Sequence, residues 1–294
     1  MPKISLIQMK MSKDEKDNLG NALSKIKKAA SKKAEIACLP ELFANIYFAQ
    51  NEDKSNFNFA KKMPNDITEA LSESAKKNNI AIIGGSLFEK GDDEKFYNTT
   101  VVFSNSGVML GKYRKIHIPY DPKYYEKTFF ASGSEYKVFD FGSVKAGTLI
   151  CYDQWFPEAA RINALMGAQI VFYPTAIGFT SEMKKNETFS QKRWERDMCA
   201  HASANGMFVA AVNRTGKEGG IEFWGSSFVA DPFGNVIARA SSSKEEVLIA
   251  DINLGLIENS REGWGFMRNR RAETYSGIIK KSTIHSDSEN KFRK

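Results

Sequence analysis

Twice along this chain a helical stretch leads into a short apolar run that a proline follows, first at Leu39-Pro40-Glu41 and again at Tyr173-Pro174-Thr175. Parallel strands need a crossover between them, and a helix is the usual one. Strands that alternate with helices therefore point to an α/β architecture. The recurrence of the unit predicts two similar halves, packed as two sheets with helices outside.

The other segments fit that scheme. Residues 4–9 form an apolar run suited to a strand. Over 14–33, Leu19, Leu23, Ile26 and Ala30 recur at three- and four-residue spacing, the stripe of an amphipathic helix. A strand over 35–39 is stopped by Pro40, and a helix over 66–77 carries Ile67, Leu71 and Ala75 on one side. A strand over 81–88 contains Gly84-Gly85, a signal of close backbone approach or a bulge. Residues 98–103 and 108–114 read as a hairpin joined at Asn105-Ser106-Gly107.

In the second half a strand over 144–150 ends at Cys151. Pro157 suits the first turn of a helix, where its missing N–H costs nothing, and Gly167 ends that helix after 158–166. A strand over 169–173 is stopped by Pro174, and a helix over 188–205 is stopped by Gly206. Strands over 207–212, 226–230 and 247–252 follow, with Asp231-Pro232-Phe233-Gly234 as a turn. One domain is expected over 1–281, and a polar, charged tail over 282–294.

Composition excludes several classes. With 294 residues, 42% of them hydrophobic, the chain can bury a core without disulfides or structural metals. The apolar stretches, such as 169–179, are too short to span a bilayer. Residues 1–10 lack the apolar core of a signal peptide, so a non-exported, cytoplasmic protein that does not bind membranes is expected. Three cysteines, Cys38, Cys151 and Cys199, with no CxxC pair, argue against a disulfide framework and against a zinc site. The net charge of +7 comes from scattered basic residues, densest over 25–33 and at Lys280, Lys281, Lys291, Arg293 and Lys294. Without a groove motif that charge reads as solubility, and no nucleic-acid partner is expected.

Three residues could carry chemistry together. Cys151 lies at a strand end just before a helix N-terminus, where the helix dipole favours a thiolate. A lone cysteine is more often a buried structural thiol, so position alone does not decide. Glu41 follows a strand end, at the rim where α/β folds bind ligands. Lys115 follows the strand over 108–114. A thiol nucleophile needs a base for its proton and a cation for the developing oxyanion, and this set supplies each role once. A Cys–His pair is the weaker alternative, since only His117, His201 and His285 exist and none lies in the cysteine's own segment.

Three strings make the chain recognisable: Leu39-Pro40-Glu41-Leu42-Phe43, Tyr113-Arg114-Lys115-Ile116-His117, and Ile150-Cys151-Tyr152-Asp153-Gln154-Trp155-Phe156-Pro157-Glu158. In this order, over about residues 4–275, the chain resembles the nitrilase superfamily of carbon–nitrogen hydrolases. The resemblance implies a four-layer αββα sandwich, assembled as a homodimer or larger even homo-oligomer. It implies that Glu41, Lys115 and Cys151 form the catalytic triad, with no metal or organic cofactor. Through the string 121–127 it implies that Glu126 is a second acid that orients Lys115 or the leaving nitrogen. It also implies that Tyr47, Tyr152, Gln154, Trp155, Thr175 and Ala176 line a site for a small ureido or amide substrate.

Residues 151–161 and 173–178 resemble the branch of that superfamily that hydrolyses N-carbamoylputrescine. Relatives that take N-carbamoyl amino acids place arginines after the nucleophile, because a guanidinium grips a carboxylate bidentately. Asp153, Gln154 and Trp155 stand there instead. An aromatic wall suits a neutral or cationic substrate, since ammonium groups favour indole faces. Arg193 or Arg214 could replace the missing arginine, which keeps an ω-amidase or β-ureidopropionase type open. A non-catalytic binding scaffold is the rival of another class, and it has no reason to keep all three roles.

Overall fold

Strand and helix alternate as expected, and they do so twice. The structure, a computed structural model, describes residues 1–280. The tail expected over 282–294, with His285, lies outside the described residues. The first half runs β1 (Lys3–Gln8), α1 (Glu15–Ser31), β2 (Ile36–Cys38), α2 (Asp66–Asn78), β3 (Ala81–Ile83), β4 (Leu87–Lys90), β5 (Phe96–Phe103) and β6 (Met109–Arg114). The second runs β7 (Val138–Asp140), β8 (Lys145–Thr148), α3 (Pro157–Leu165), β9 (Ile170–Thr175), β10 (Gly178–Thr180), α4 (Ser181–Asn186) and α5 (Ser190–Asn205). It continues through β11 (Phe208–Asn213), β12 (Thr215–Glu218), β13 (Ile221–Trp224), β14 (Phe228–Ala230) and β15 (Val236–Arg239), then β16 (Glu246–Asp251) and α6 (Gly255–Trp264).

Each half builds a parallel triplet. β1, β2 and β3 pair in parallel, with α1 and α2 as crossovers. β8, β9 and β11 do the same, with α3 and then α4 and α5 between them. Antiparallel strands extend both triplets, giving the orders β16-β1-β2-β3-β5-β4 (with β6 beside β5) and β15-β14-β11-β9-β8-β7. β10, β13 and β12 form a third, small sheet.

The two large sheets face each other. Ile4, Leu6, Ile36 and Val102 from one pack against Phe139, Ala146, Phe172, Phe208 and Val212 from the other. Outside the first sheet, Ala22, Ile26, Ile67 and Leu71 of α1 and α2 cover Ala37, Ile82 and Val101. Outside the second, Ala159, Ala160, Trp194 and Met198 of α3 and α5 cover Val171 and Val209. The layers are therefore αββα. Burying each of the larger aliphatic and aromatic side chains among these contributes about 1.5–3 kcal/mol, so the sandwich is a rigid support for the loops at its strand ends.

Three local expectations need correction. The strand expected over 81–88 is two strands, broken at Gly84-Gly85. A Cβ on Gly84 would stand 2.9 Å from the Val101 side chain, and Gly85 adopts φ +55 with Pro40 O only 2.1 Å from where its Cβ would be. Pro174 does not stop β9, which continues through it to Thr175 and pairs Pro174 with Val212. The β8 side of Phe172 is engaged, because Leu149 N–H donates to its carbonyl. Pro174 faces the same side beyond the end of β8, so its missing N–H leaves no ladder partner unmet. In α1 the buried line is Asn18, Ala22, Ile26 and Ala29, with Leu19, Leu23 and Ala30 at its margin. Asn18 is buried because its amide donates to Ser12 O and Ala44 O.

Candidate active site

The parallel strands deliver their carboxyl ends to one region, where α/β sheets place ligands. Glu41 follows β2, Cys151 follows β8, and Thr175-Ala176 close β9, while Lys115 follows β6 of the adjoining hairpin. Lys115 Nζ donates to Glu41 Oε1 at 2.7 Å and to Glu126 Oε2 at 2.6 Å. Asn98 Nδ2 donates to the same Glu41 oxygen at 2.9 Å, and Tyr47 OH donates to Glu126 Oε1 at 2.7 Å. All three charged side chains are fully buried. The second Glu41 oxygen, Oε2, is buried without a hydrogen-bond partner among the described residues. A buried carboxylate oxygen left open is costly unless a reacting group uses it.

Cys151 is the first residue of a 3₁₀ turn, Cys151–Trp155, and adopts φ +42. A left-handed backbone at a non-glycine residue costs about 1–3 kcal/mol and persists only where the surroundings enforce it. The turn lies between β8 and α3, the strand-to-helix position that a nucleophile elbow also occupies. The helix-dipole argument does not hold here. α3 begins only at Pro157, and burial followed by the charge of Glu41 pushes the Cys151 thiol well above its ordinary pKa. Lys115 and a hydrogen bond from the Ala176 backbone N–H pull the other way without prevailing. Cys151 is thus held as the neutral thiol rather than the thiolate.

The acids and the cation are tuned against each other. Burial would lower the Lys115 pKa, yet the charges of Glu126 and Glu41 raise it, so the ammonium stays charged. Burial pushes Glu126 up to about 6 against the pull of Lys115. Burial and Glu126 likewise raise the Tyr47 phenol, which remains a donor.

The structure also places residues that the sequence reading left without roles. Asp153, two residues past Cys151, is fully buried and joins two strings. It accepts from Ile150 N at 2.9 Å, Tyr113 OH at 2.7 Å, His117 N at 2.9 Å and the His117 ring at 2.8 Å. It therefore ties the cysteine turn to the segment that carries Lys115. A signal was present: Tyr113, Lys115 and His117 alternate along an extended segment and so share a face. Asn98 and Tyr124 were also missed. The Tyr124 hydroxyl both donates to and accepts from the Gly178 backbone at 3.2 Å.

The expected substrate-binding residues divide. Tyr47 joins the charged cluster through Glu126, and Ala176 reaches the Cys151 sulfur. Tyr152 is half-buried, and its phenol responds to the charges of Asp121, Lys115 and Cys151. Gln154 turns inward, where its Oε1 accepts from Trp194 Nε1 at 2.7 Å and, more weakly, from Thr175 Oγ1 at 3.5 Å. Trp155 is half-buried, and the Arg193 guanidinium lies 5.7 Å from its ring centroid, over one face. Arg214 cannot serve as a substrate clamp, since it is fully buried and committed to Glu218 and to backbone carbonyls. His117 is held by Asp153 and stacks on Phe156, and His201 meets the Tyr173 hydroxyl. Among the described residues no group of His, Cys, Asp or Glu is arranged to hold a metal, and no helix is long and apolar enough to cross a membrane.

A thiol on a strained turn, an open carboxylate oxygen and a buried ammonium, set on an αββα sandwich, are the groups that a thiol-dependent hydrolase would need. The chain belongs to the carbon–nitrogen hydrolase family of the nitrilase superfamily, whose model matches residues 3–262. It is an enzyme for non-peptide carbon–nitrogen bonds, of the amidase type. It is 39% identical to an N-carbamoylputrescine amidase of Arabidopsis thaliana over 285 residues, 94% of each chain. It is 38% identical to a citrullinase of Francisella tularensis, over 95% of this chain and 98% of that one. A crystal structure of a carbon–nitrogen hydrolase from Helicobacter pylori G27 superposes with a TM-score of 0.90 at 36% identity, covering 95% and 98%.

Proposed function

We propose that this chain hydrolyses N-carbamoylputrescine to putrescine, carbon dioxide and ammonia through a covalent intermediate on Cys151. The observation that carries the chemistry is the buried, unpartnered Oε2 of Glu41, whose carboxylate is held by Lys115 and acts on the Cys151 thiol. Glu41 takes the thiol proton, and the thiolate attacks the ureido carbon. Lys115 and the backbone N–H after Cys151 hold the oxyanion. One nitrogen leaves, protonated by Glu41. Glu41 then deprotonates a water, which attacks the carbonyl carbon. The C–S bond breaks, Cys151 regains its proton, and the released carbamate decomposes to carbon dioxide and the remaining amine. Glu126, hydrogen-bonded to Lys115, orients that ammonium.

Two facts support the substrate: the likeness to N-carbamoylputrescine amidase, and the lack of an arginine in the string after Cys151. One observation favours a second reading, a ureido amino acid such as citrulline. Arg193 lies over Trp155 and meets Asp197 only at 3.6 Å, which leaves its guanidinium able to meet a carboxylate. Ammonia release from N-carbamoylputrescine, citrulline, N-carbamoyl-β-alanine and glutaramate separates these readings. The proposal expects N-carbamoylputrescine to dominate. A preference for citrulline, abolished by Arg193→Ala, moves the assignment to the second reading.

The same reading takes residues 1–281 as a single hydrolase domain assembled as a homodimer or larger even oligomer. Exposed Leu165 and Met166 at the end of α3, and the stacked, exposed Trp264 and Phe266, offer an apolar face for a second copy. A cytoplasmic location accords with Cys38, Cys151 and Cys199 all being free thiols.

A further inference from the structure

Residues 41–47 lie in a turn outside any strand or helix, yet they carry Glu41 at one end and Tyr47 at the other. Leu42 adds backbone strain, with φ +47. One side chain grips this turn repeatedly. Arg214, just past β11, donates through Nη2 to Glu41 O at 2.6 Å and Leu42 O at 2.9 Å. Through Nη1 it donates to Asn45 O at 3.3 Å and to both carboxylate oxygens of Glu218, at 2.9 and 3.0 Å. Its guanidinium lies over Phe223 at 5.2 Å and Tyr47 at 5.9 Å. Glu218, at the end of β12, completes the grip by accepting from Tyr47 N–H at 2.7 Å.

We infer that Arg214 and Glu218 are positioning residues for the base: they lock the 41–47 turn so that the open oxygen of Glu41 and the hydroxyl of Tyr47 stay aimed at the reacting groups. The choice of side chain follows from chemistry. Carbonyls converging from three residues and a carboxylate need several donors in one rigid plane, which a guanidinium has and an ammonium lacks. The carboxylate of Glu218 keeps that cation from being buried unpaired. The small third sheet, which holds Glu218 in β12, thereby acts on the chemistry without touching it. This inference rests on Glu41 being the base, and not on which ureido substrate is taken.

The test uses the full chain with Arg214→Lys, Glu218→Gln and the double change Arg214→Met with Glu218→Leu, which removes both buried charges together. Two readouts are taken: kcat and KM for ammonia release, and the pH profile of Cys151 alkylation by iodoacetamide, which needs no substrate. Misplacing a reacting group by an ångström costs about a hundredfold, so Arg214→Lys should lower kcat by about that factor with KM little changed. Its alkylation profile should move to lower pH, because a displaced Glu41 carboxylate no longer raises the thiol. Glu218→Gln, which keeps an acceptor oxygen, should fall between. A folded Arg214→Lys protein with unchanged kcat and alkylation profile overturns the inference, as does a rise in KM alone. If Arg214→Lys does not fold, the double variant decides on the same two readouts, and Glu218→Gln decides if neither folds. If no ureido substrate is turned over while the alkylation profile still shifts, the substrate reading fails and this inference stands.

Discussion

A buried ammonium between two carboxylates is the central fact at the residue scale. Lys115 is shared by Glu41 and Glu126, and its positive charge is what makes two buried acids tolerable. Glu126 has a pKa raised to about 6, so it is charged above that pH and neutral below it. Once protonated it no longer balances Lys115, and the ammonium is drawn toward Glu41, which becomes a weaker base. The acid limb of kcat/KM should therefore fall near pH 6, and Glu126→Gln should remove that limb while lowering kcat across the range. A rate profile measured over pH 4.5–8 checks both. Glu41, Lys115 and Cys151 stand out in the sequence because each sits in its own string, and the structure brings Lys115 Nζ within 2.7 Å of Glu41. What the sequence could not convey was which arginine is buried. Arg214 looked like a spare clamp for an anion, and the structure commits it to Glu218 and the Glu41 turn.

Elements place these residues, and their joints are where small changes should matter most. Gly85 sits at φ +55 with Pro40 O pressed against it, so it supports the Glu41 turn from behind. Gly85→Ala should destabilise the chain by more than about 1 kcal/mol and lower activity further than stability, because Pro40 adjoins Glu41. Thermal melts beside rate measurements test this. Asp153 is the joint between the cysteine turn and the Lys115 segment. Asp153→Asn keeps the shape but removes the charge and turns one acceptor into a donor. A loss of about 2 kcal/mol, read as a fall in Tm of roughly 3 °C, is expected, with kcat reduced through the loosened turn. Sequence periodicity located most of these elements, including α3 with Pro157 at its first turn and α5 ending at Gly206. It misjudged β9 because a proline inside a strand is tolerated where the neighbouring strand has already ended, and only the sheet order reveals that. It misplaced the α1 stripe because alanines, not leucines, let that helix approach the sheet.

At the scale of the whole molecule, the repeated strand–helix unit was enough to foresee two sheets with helices outside, and the resemblance supplied the αββα order. The small sheet of β10, β12 and β13 was not foreseen. Its strands are short: β12 and β13 form a hairpin across Gly219-Gly220, a turn signal that the sequence reading passed over, and β10 joins them from outside that run. That sheet nevertheless supplies Glu218. Assembly belongs to this scale as well. Sedimentation equilibrium should give a dimer or larger even oligomer, and Trp264→Glu with Phe266→Glu should shift it toward monomer, since charges on an apolar contact are not tolerated. An unchanged mass distribution in that double variant would place the contact elsewhere.

The central claim is that carbon–nitrogen cleavage passes through a bond to Cys151. Rapid acid quench during turnover of N-carbamoylputrescine, followed by mass analysis of the peptide that holds Cys151, tests it most directly. The account predicts a carbamoyl-type adduct on that peptide in the native chain, and neither adduct nor ammonia release with Cys151→Ala. Ammonia release that persists in Cys151→Ala at a rate near that of the native chain would contradict it.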